Sequence, residues 1–250
     1  MSSEIQSGVP EDTALDVHGC PVELLERALR EHSVEAPSSS EPDGRTHPRP
    51  EAVDLQVIEG EDRVRVVLTE GGSGAVYAML RDLCGAERLT TDGESIAAAV
   101  IREARDRDLT IGAAESCTGG LVGGALTSVA GSSAVFWGSL VTYSYVAKMQ
   151  VLGVREETLE RHGAVSESVV VEMAQAVVNR YGVDLALAVS GIAGPGGGTP
   201  EKPVGTVWLA CSARGQDPST RRVQLDGDRG AVRRRSVTEG LVLLRTMLSP

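Results

Sequence analysis

The segment Thr110–Gly124, TIGAAESCTGGLVGG, breaks a short apolar run with Glu115-Ser116-Cys117-Thr118-Gly119-Gly120 and then takes up a helical pattern. A side chain held where a strand gives way to a helix is fixed at its root and faces backbone N–H groups that lack intrahelical partners. Ser116 can act there as a nucleophile. The N–H groups of Thr118, Gly119 and Gly120 would then stabilise the oxyanion formed on attack at a carbonyl carbon. Ser116 can equally be an ordinary helix N-cap. Cys117 is a rival nucleophile, or an inert thiol packed behind a buried strand.

A nucleophilic serine needs a base. Three of the four histidines (His18, His32, His47) lie in the N-terminal part, and only His162 lies beyond it, in a turn before Gly163. No G-x-S-x-G elbow surrounds Ser116. The inventory therefore disfavours a Ser-His-Asp triad, and a zinc site for the same reason; no cofactor is expected. Lysine remains. Of 24 basic residues only Lys148 and Lys202 are lysines. Arginine stays protonated, whereas a desolvated lysine can lose its proton. The free amine titrates near ~10.4 and must come down toward ~7–8 to work as a base. Lys148 follows Val141-Thr142-Tyr143-Ser144 and shares a helix face with Ser144. The spacing Ser-x-x-x-Lys is not the Ser-x-x-Lys of penicillin-binding enzymes. The alternative for Lys148 is a solvated surface position.

Two further segments can hold a ligand. Ser190–Pro203, SGIAGPGGGTPEKP, contains Gly191, Gly194, Gly196, Gly197 and Lys202. It leads from strand to strand, so it is neither a Walker A loop nor a dinucleotide fingerprint. Its glycines let backbone N–H groups approach an anion closely, unless the loop is a plain hairpin. Gly227-Asp228-Arg229 opens the last helical pattern. Arg229 and Arg233, one turn apart, form either a fork for phosphate or a solvated basic face.

The elements that must position these residues follow from patterning. Helices are expected over 94–107, 119–129, 144–151, 166–181 (capped by Ser166) and 230–247. Strands are expected over 109–114, 137–143, 185–189, 204–212 and 221–225. Strands alternate with helices until a late adjacent pair, which implies a three-layer α/β/α domain with a mixed sheet of about five strands over residues 91–250. Residues 51–90 read as a small β-β-α segment. Residues 1–50 read as an acidic arm of low order, with one amphipathic helix conceivable over Val22–His32 and a Pro/Ser-rich linker after it.

Charge follows the same division. Of the net −11, residues 1–90 carry 18 acidic and 8 basic side chains, and residues 91–250 carry 17 and 16. No basic stripe with interleaved aromatics exists, so nucleic acid is not expected as a partner. The four cysteines are scattered without a C-x-x-C pair, as in proteins with reduced thiols. The N-terminus has acidic residues where a signal peptide needs basic ones, and no apolar run reaches the ~18 residues of a membrane span. The expectation is a soluble cytoplasmic protein with no membrane partner.

Taken together, ESCTGG, AGSSAVFWGSLVTYSYVAK, LGVREETLERHGAVSESVVVEMA, AVSGIAGPGGGTPEKPVGTVW and LDGDRGAVR resemble, in this order, the CinA C-terminal domain family, which includes the nicotinamide-nucleotide amidohydrolases. The resemblance covers about residues 92–248. It implies an α/β/α domain without metal, a homo-oligomer (commonly a dimer), and hydrolysis of the carboxamide of nicotinamide mononucleotide, a pyridine nucleotide, to nicotinate mononucleotide and ammonia. Carried onto this sequence, it makes Ser116 the nucleophile and Lys148 its base. Tyr143 would support Lys148 or the substrate, and the 191–203 loop and Arg229 would hold the ribose phosphate end. Glu115 joins the residues lining the substrate, or serves as base for a directly attacking water. Fuller members carry a molybdopterin-binding-like domain and a small KH-like linker ahead of this region. Residues 1–50 do not resemble that first domain, and residues 52–85 can be a remnant of the linker. A second reading is a non-catalytic nucleotide-binding or interaction module related to competence or damage responses, with the acidic arm recruiting a partner.

Overall fold

The computed structural model describes residues 14–35, 53–58, 62–68 and 73–248. The chain divides into two compact units, residues 1–95 and 96–250.

In the first unit β1 (Leu15–His18), α1 (Val22–Glu35), β2 (Val53–Ile58), β3 (Arg63–Leu68), α2 (Ser73–Cys84) and β4 (Leu89–Thr91) follow one another. The sheet order is β2-β3-β1-β4, with every pairing antiparallel. This is the split β-α-β arrangement. Leu15, Val17, Val64, Val66 and Leu89 pack on Leu25 and Leu29 of α1 and Val76 and Leu80 of α2. The opposite side of β1 carries Asp16, which is fully buried and accepts from Arg65 Nε at 3.0 Å. Within the expected arm the helix read over Val22–His32 is present as α1, and residues 15–18, which were not read as a strand, form β1 of this unit. The rest of the arm, residues 1–13 and 36–50, lies outside the described residues. The expected β-β-α segment is the middle of the same unit, not a separate one.

The second unit has the expected three layers. It contains α3 (Ile96–Arg105), β5 (Ile111–Glu115), α4 (Leu121–Thr127), β6 (Phe136–Val141), α5 (Tyr145–Ala147), α6 (Glu156–His162), α7 (Glu167–Tyr181), β7 (Leu185–Gly191), β8 (Thr206–Ala213), β9 (Ser219–Gln224) and α8 (Arg229–Leu248). The sheet order is β6-β5-β7-β8-β9. β6, β5 and β7 are parallel, and β8 and β9 add antiparallel strands. Residue alternation divides the core in two. Ala113, Leu185, Leu187 and Val189 join the side covered by α3, α4 and α8. Ala114, Ala186 and Ala188 face α7, which supplies Val169, Val170, Met173, Ala174 and Val177. Small residues on that face let α7 approach closely. A Cβ on Gly112 would stand 2.5 Å from Val177 Cγ1. Ser166 precedes α7 but its hydroxyl does not cap the helix; it donates to the Gly163 carbonyl at 2.9 Å.

The parallel strands β5 and β6 end at Glu115 and Val141 in register with one another, and Glu115 is also paired with Val189 of β7. Open α/β sheets collect ligands at the carboxyl ends of parallel strands. Ser116, Thr142 and the loop after Gly191 all leave the sheet at that end.

Candidate active site

Ser116 is the first residue past β5. Its N–H donates to the Val189 carbonyl at 2.9 Å, which extends the ladder by one step and fixes the serine backbone. Lys148 comes from the segment after β6. Ser144 accepts the Ala147 N–H on its hydroxyl at 3.1 Å and the Lys148 N–H on its carbonyl at 3.1 Å, so it caps α5. At Lys148 the short helix widens into one π-turn, Lys148–Leu152. Such turns are rare and recur at functional sites. Lys148 is 0 % exposed. Its Nζ donates to Ser116 Oγ at 2.9 Å and to the Thr142 carbonyl at 2.7 Å. Burial lowers the amine from 10.5 to about 8, against a small opposing pull from Cys117. The structure thus brings together a hydroxyl and an amine that can lose its proton near neutral pH.

Cys117 does not share this setting. Its thiol is buried, and desolvation pushes it up to about 11, so the thiolate is scarce.

Glu115 is fully buried at the end of β5. Its Oε2 accepts from the N–H groups of Gly120 (2.9 Å) and Val122 (3.1 Å). Its Oε1 accepts from the Gly123 N–H (2.9 Å) and the Ser139 hydroxyl (2.5 Å). A carboxylate side chain therefore takes up the open N–H groups at the start of α4, which were expected to face a ligand. All four donors converge on Glu115, so its carboxylate holds the start of α4 to the end of β5. Gly119 and Gly120 are likewise occupied: the Gly119 N–H donates to the Ser116 carbonyl at 3.1 Å and the Gly120 N–H to Glu115. Both adopt positive φ, 59° and 97°, the reason the turn uses glycine. Among the described residues, no acceptor meets the N–H of Thr118. The Thr118 and Thr142 hydroxyls are buried without a hydrogen-bond partner among the described residues.

Arg233 supplies the other half of the turn. Its Nε donates to the Cys117 carbonyl at 3.0 Å and its Nη2 to the Thr118 carbonyl at 2.7 Å. The expected fork of Arg229 and Arg233 is therefore split. Arg233 grips backbone, whereas Arg229 donates to the Gly194 carbonyl (Nη1, 2.8 Å) and to the Tyr143 hydroxyl (Nη2, 2.8 Å). Tyr143 is 59 % exposed, and the hydrogen bond its hydroxyl makes is with Arg229 rather than Lys148.

The glycine-rich loop is tied rather than slack. Ile192 N–H donates to the Thr206 carbonyl (2.9 Å), Gly205 N–H to the Ile192 carbonyl (2.7 Å) and Thr199 N–H to the Lys202 carbonyl (2.9 Å). Lys202 Nζ donates to the His162 carbonyl at 2.8 Å, which spends the second lysine on loop-to-loop contact. A Cβ on Gly191 would stand 3.1 Å from Cys117 Sγ, so this glycine lets β7 lie against the serine turn. Gly194 is buried, and Gly196 and Gly197 are exposed. The Thr142 carbonyl and the Ser139 hydroxyl take part in the site without having been expected. A backbone carbonyl has no residue-type signature, and Ser139 sits inside a strand pattern.

This is an α/β/α domain with a buried serine–lysine contact at the carboxyl ends of its parallel strands. Residues 93–248 match the family model of the CinA C-terminal domain, and the chain belongs to that family. A CinA-like protein of Akkermansia muciniphila is 49% identical over 175 residues, 70% of this chain and 42% of that protein. The nicotinamide-nucleotide amidohydrolase PncC of Escherichia coli K12 is 54% identical over 138 residues, 55% of this chain and 84% of that protein. The chain thus spans less than half the length of the CinA-like relative. The crystal structure of the competence/damage inducible protein CihA from Agrobacterium tumefaciens superposes with a TM-score of 0.60 at 42% identity, over 62% of this chain and 94% of that one. Among the described residues no helix is long and apolar enough to cross a membrane, and no group of three or more His, Cys, Asp or Glu is placed to hold a metal ion.

Proposed function

We propose that the second unit hydrolyses the carboxamide of nicotinamide mononucleotide, giving nicotinate mononucleotide and ammonia, with Ser116 as nucleophile and Lys148 as its base. The observation that carries the reading is the Lys148 amine, enclosed, lowered to about 8 and 2.9 Å from Ser116 Oγ. The likeness to PncC of Escherichia coli supplies the substrate.

Neutral Lys148 takes the Ser116 proton as Oγ attacks the amide carbon. The Thr142 carbonyl keeps one amine N–H, which orients the lone pair toward the serine. Negative charge then develops on the amide oxygen. The N–H of Cys117, the residue after the nucleophile, and that of Thr118 are its donors, in the manner of a nucleophile elbow. Arg233 holds the carbonyls of Cys117 and Thr118 and so orients the peptide units of this turn. Lys148, now an ammonium, gives its proton to the amide nitrogen, the C–N bond breaks and ammonia leaves. Water attacks the acyl ester with Lys148 again as base and Ser116 as leaving group. Arg229, with Tyr143 and the Gly194–Gly197 stretch, is the receptor for the phosphate end. Its two guanidinium donors are held by neutral oxygens that a phosphate can replace.

A homodimer and a cytoplasmic location belong to the same proposal. Trp137, Val141, Tyr145 and Val146 are about half exposed on and just after the edge strand β6, which suits burial against a second copy.

The test is ammonia release from nicotinamide mononucleotide by the whole chain, its Ser116→Ala variant and its Lys148→Arg variant. Both substitutions should reduce turnover by at least roughly 100-fold. Turnover undiminished in Ser116→Ala would end the covalent route.

A further inference from the structure

The first unit holds two thiols that the mechanism does not use. Cys20 follows the turn after β1, and Cys84 closes α2. They are 64 residues apart in sequence, yet their sulfur atoms lie 2.8 Å from one another. Both are partly exposed, on the rim of the apolar core formed by Leu15, Val17, Leu25 and Leu80. Their backbones are independently anchored. Arg88 Nη1 donates to the carbonyls of His18 (3.1 Å) and Gly19 (3.2 Å), which holds the turn leading into Cys20. The Gly19 N–H donates to the Asp62 carbonyl at 2.8 Å. After Cys84 the Gly85 N–H closes the helix on the Arg81 carbonyl at 2.8 Å. The other two cysteines, Cys117 and Cys211, are deeply buried, and desolvation pushes them up to about 11 and about 12. Cys84 is shifted the other way, by its contact with Cys20 first and by the Arg88 charge in addition, against the effect of burial. A thiolate stabilised beside a second thiol is the arrangement that oxidants select.

We propose that Cys20 and Cys84 are a reversible dithiol–disulfide pair that reduces hydroperoxides and, when oxidised, staples the β1–α1 turn to the end of α2. The Cys84 thiolate attacks the distal oxygen of the hydroperoxide. An S–O bond forms, the O–O bond breaks, and the departing alkoxide takes a proton and leaves as the alcohol, or as water from hydrogen peroxide. The Cys20 sulfur then attacks the Cys84 sulfenic acid. The S–S bond forms, the S–O bond breaks, and hydroxide leaves with the Cys20 proton as water. Two thiols and one hydroperoxide thus give one disulfide, one alcohol and one water. A dithiol reductant reverses the change. The cross-link closes a long loop and restricts the unfolded chain, so it should raise the thermal midpoint of the first unit.

The full chain is treated with a small excess of hydrogen peroxide, alkylated under denaturing conditions and analysed by intact mass and by peptide mapping without reduction. The expected result is a loss of two hydrogens, two fewer alkylated thiols, a single cross-linked peptide pair containing Cys20 and Cys84, full reversal by dithiothreitol, and a raised midpoint before reversal. In Cys20→Ser the same treatment should carry Cys84 onward to its sulfinic acid, because no resolving thiol stands beside it. Cys117 and Cys211 in the same sample are the internal reference and should remain alkylatable. Full alkylation of Cys20 and Cys84 after peroxide would overturn the proposal. So would a cross-link to Cys117 or Cys211, or oxidation of Cys84 to its sulfinic acid in the unsubstituted chain without any cross-link.

Discussion

If the Lys148 amine is the base, the rate should titrate with it. The amine is lowered to about 8, so below that pH its reactive, neutral fraction falls tenfold per unit. The fraction is about 3 % at pH 6.5, roughly half at pH 8 and about 97 % at pH 9.5. Therefore kcat/KM for nicotinamide mononucleotide should rise about 30-fold across that window and level off above pH 9. The window stays above the second ionisation of the substrate phosphate, near ~6. The assay is initial-rate ammonia release at substrate concentrations well below KM. Lys148→Arg, whose guanidinium stays protonated, should be slow and should lose the limb. A wild-type profile flat between pH 6.5 and 9.5, or the same limb persisting in Lys148→Arg, would refute the reasoning.

The same proton bears on stability, which gives a readout independent of turnover. The unfolded chain holds the Lys148 proton up to about 10.5, the folded chain only up to about 8. Between those values the unfolded state binds more protons, so stability rises with pH across the window. Below about 8 both states are charged, and the fold bears the cost of an enclosed ammonium, up to about 3 kcal/mol. Lys148→Met removes that titration. It also removes the hydrogen bonds to Thr142 and Ser116, which is a pH-independent loss of about 1–3 kcal/mol. The stability difference between wild type and Lys148→Met, followed by chemical denaturation, should therefore shift in favour of wild type as pH rises from 8 to 10. A difference that does not change with pH would refute the assignment.

Three further outcomes follow from named contacts. In Glu115→Gln the amide nitrogen must replace one accepting oxygen. Even in the cheaper orientation, with Ser139 turning to accept, the Gly123 N–H is orphaned, so thermal denaturation should show a loss of about 1–3 kcal/mol. If Arg229 receives the phosphate, Arg229→Ala should raise KM for the nucleotide roughly 10- to 100-fold with kcat changed far less, as steady-state kinetics will report, because that charge-assisted contact would be lost while the serine–lysine pair is kept. Gly112→Ala should cost about 1–3 kcal/mol in a denaturant titration, because its Cβ would stand 2.5 Å from Val177 Cγ1 and 3.3 Å from Val183 Cγ2.

What could be read in advance depended on whether the signal was local. β5 and β7 are apolar runs buried on both faces, and such runs are legible as strands. α6 was not anticipated: in Glu156–His162 only Thr158 and Leu159 are buried, too few for a periodic stripe. α1 extends the helix read over Val22–His32 by three residues. β1 was not anticipated: it is four residues long, and only Leu15 and Val17 face the apolar core, with Asp16 and His18 on its other side. Ser116 and Lys148 stood out by residue type alone, a serine at a strand end and one of two lysines in an arginine-rich chain. Their partners did not. The Thr142 contact is made by a backbone atom, and the Cys20–Cys84 contact joins residues that only the sheet order of the first unit brings together. Arg229 and Arg233 look alike in sequence and part company in space because α8 directs them to different loops.

The turn after β5 is held from both sides by opposite charges. Glu115 draws the N–H groups of Gly120, Val122 and Gly123 inward, and Arg233 draws the carbonyls of Cys117 and Thr118 outward. A peptide turn left to itself exchanges these groups with water. Here each face has a fixed ionic partner, so the Ser116 backbone cannot rotate without breaking charge-assisted contacts on one side or the other. Lys148 is also fixed, by a capped helix at its root and a carbonyl at its tip. A base that must work while desolvated gains little from flexibility, because each excursion into water would restore its ordinary affinity for a proton. Enclosure sets the amine's proton affinity, and the two rigid frames hold it within 2.9 Å of the hydroxyl. Activity should therefore be as sensitive to Arg233→Ala, which touches neither Ser116 Oγ nor Lys148, as a positioning role requires. That variant should show lowered kcat, little changed KM, and an unchanged pH limb near 8.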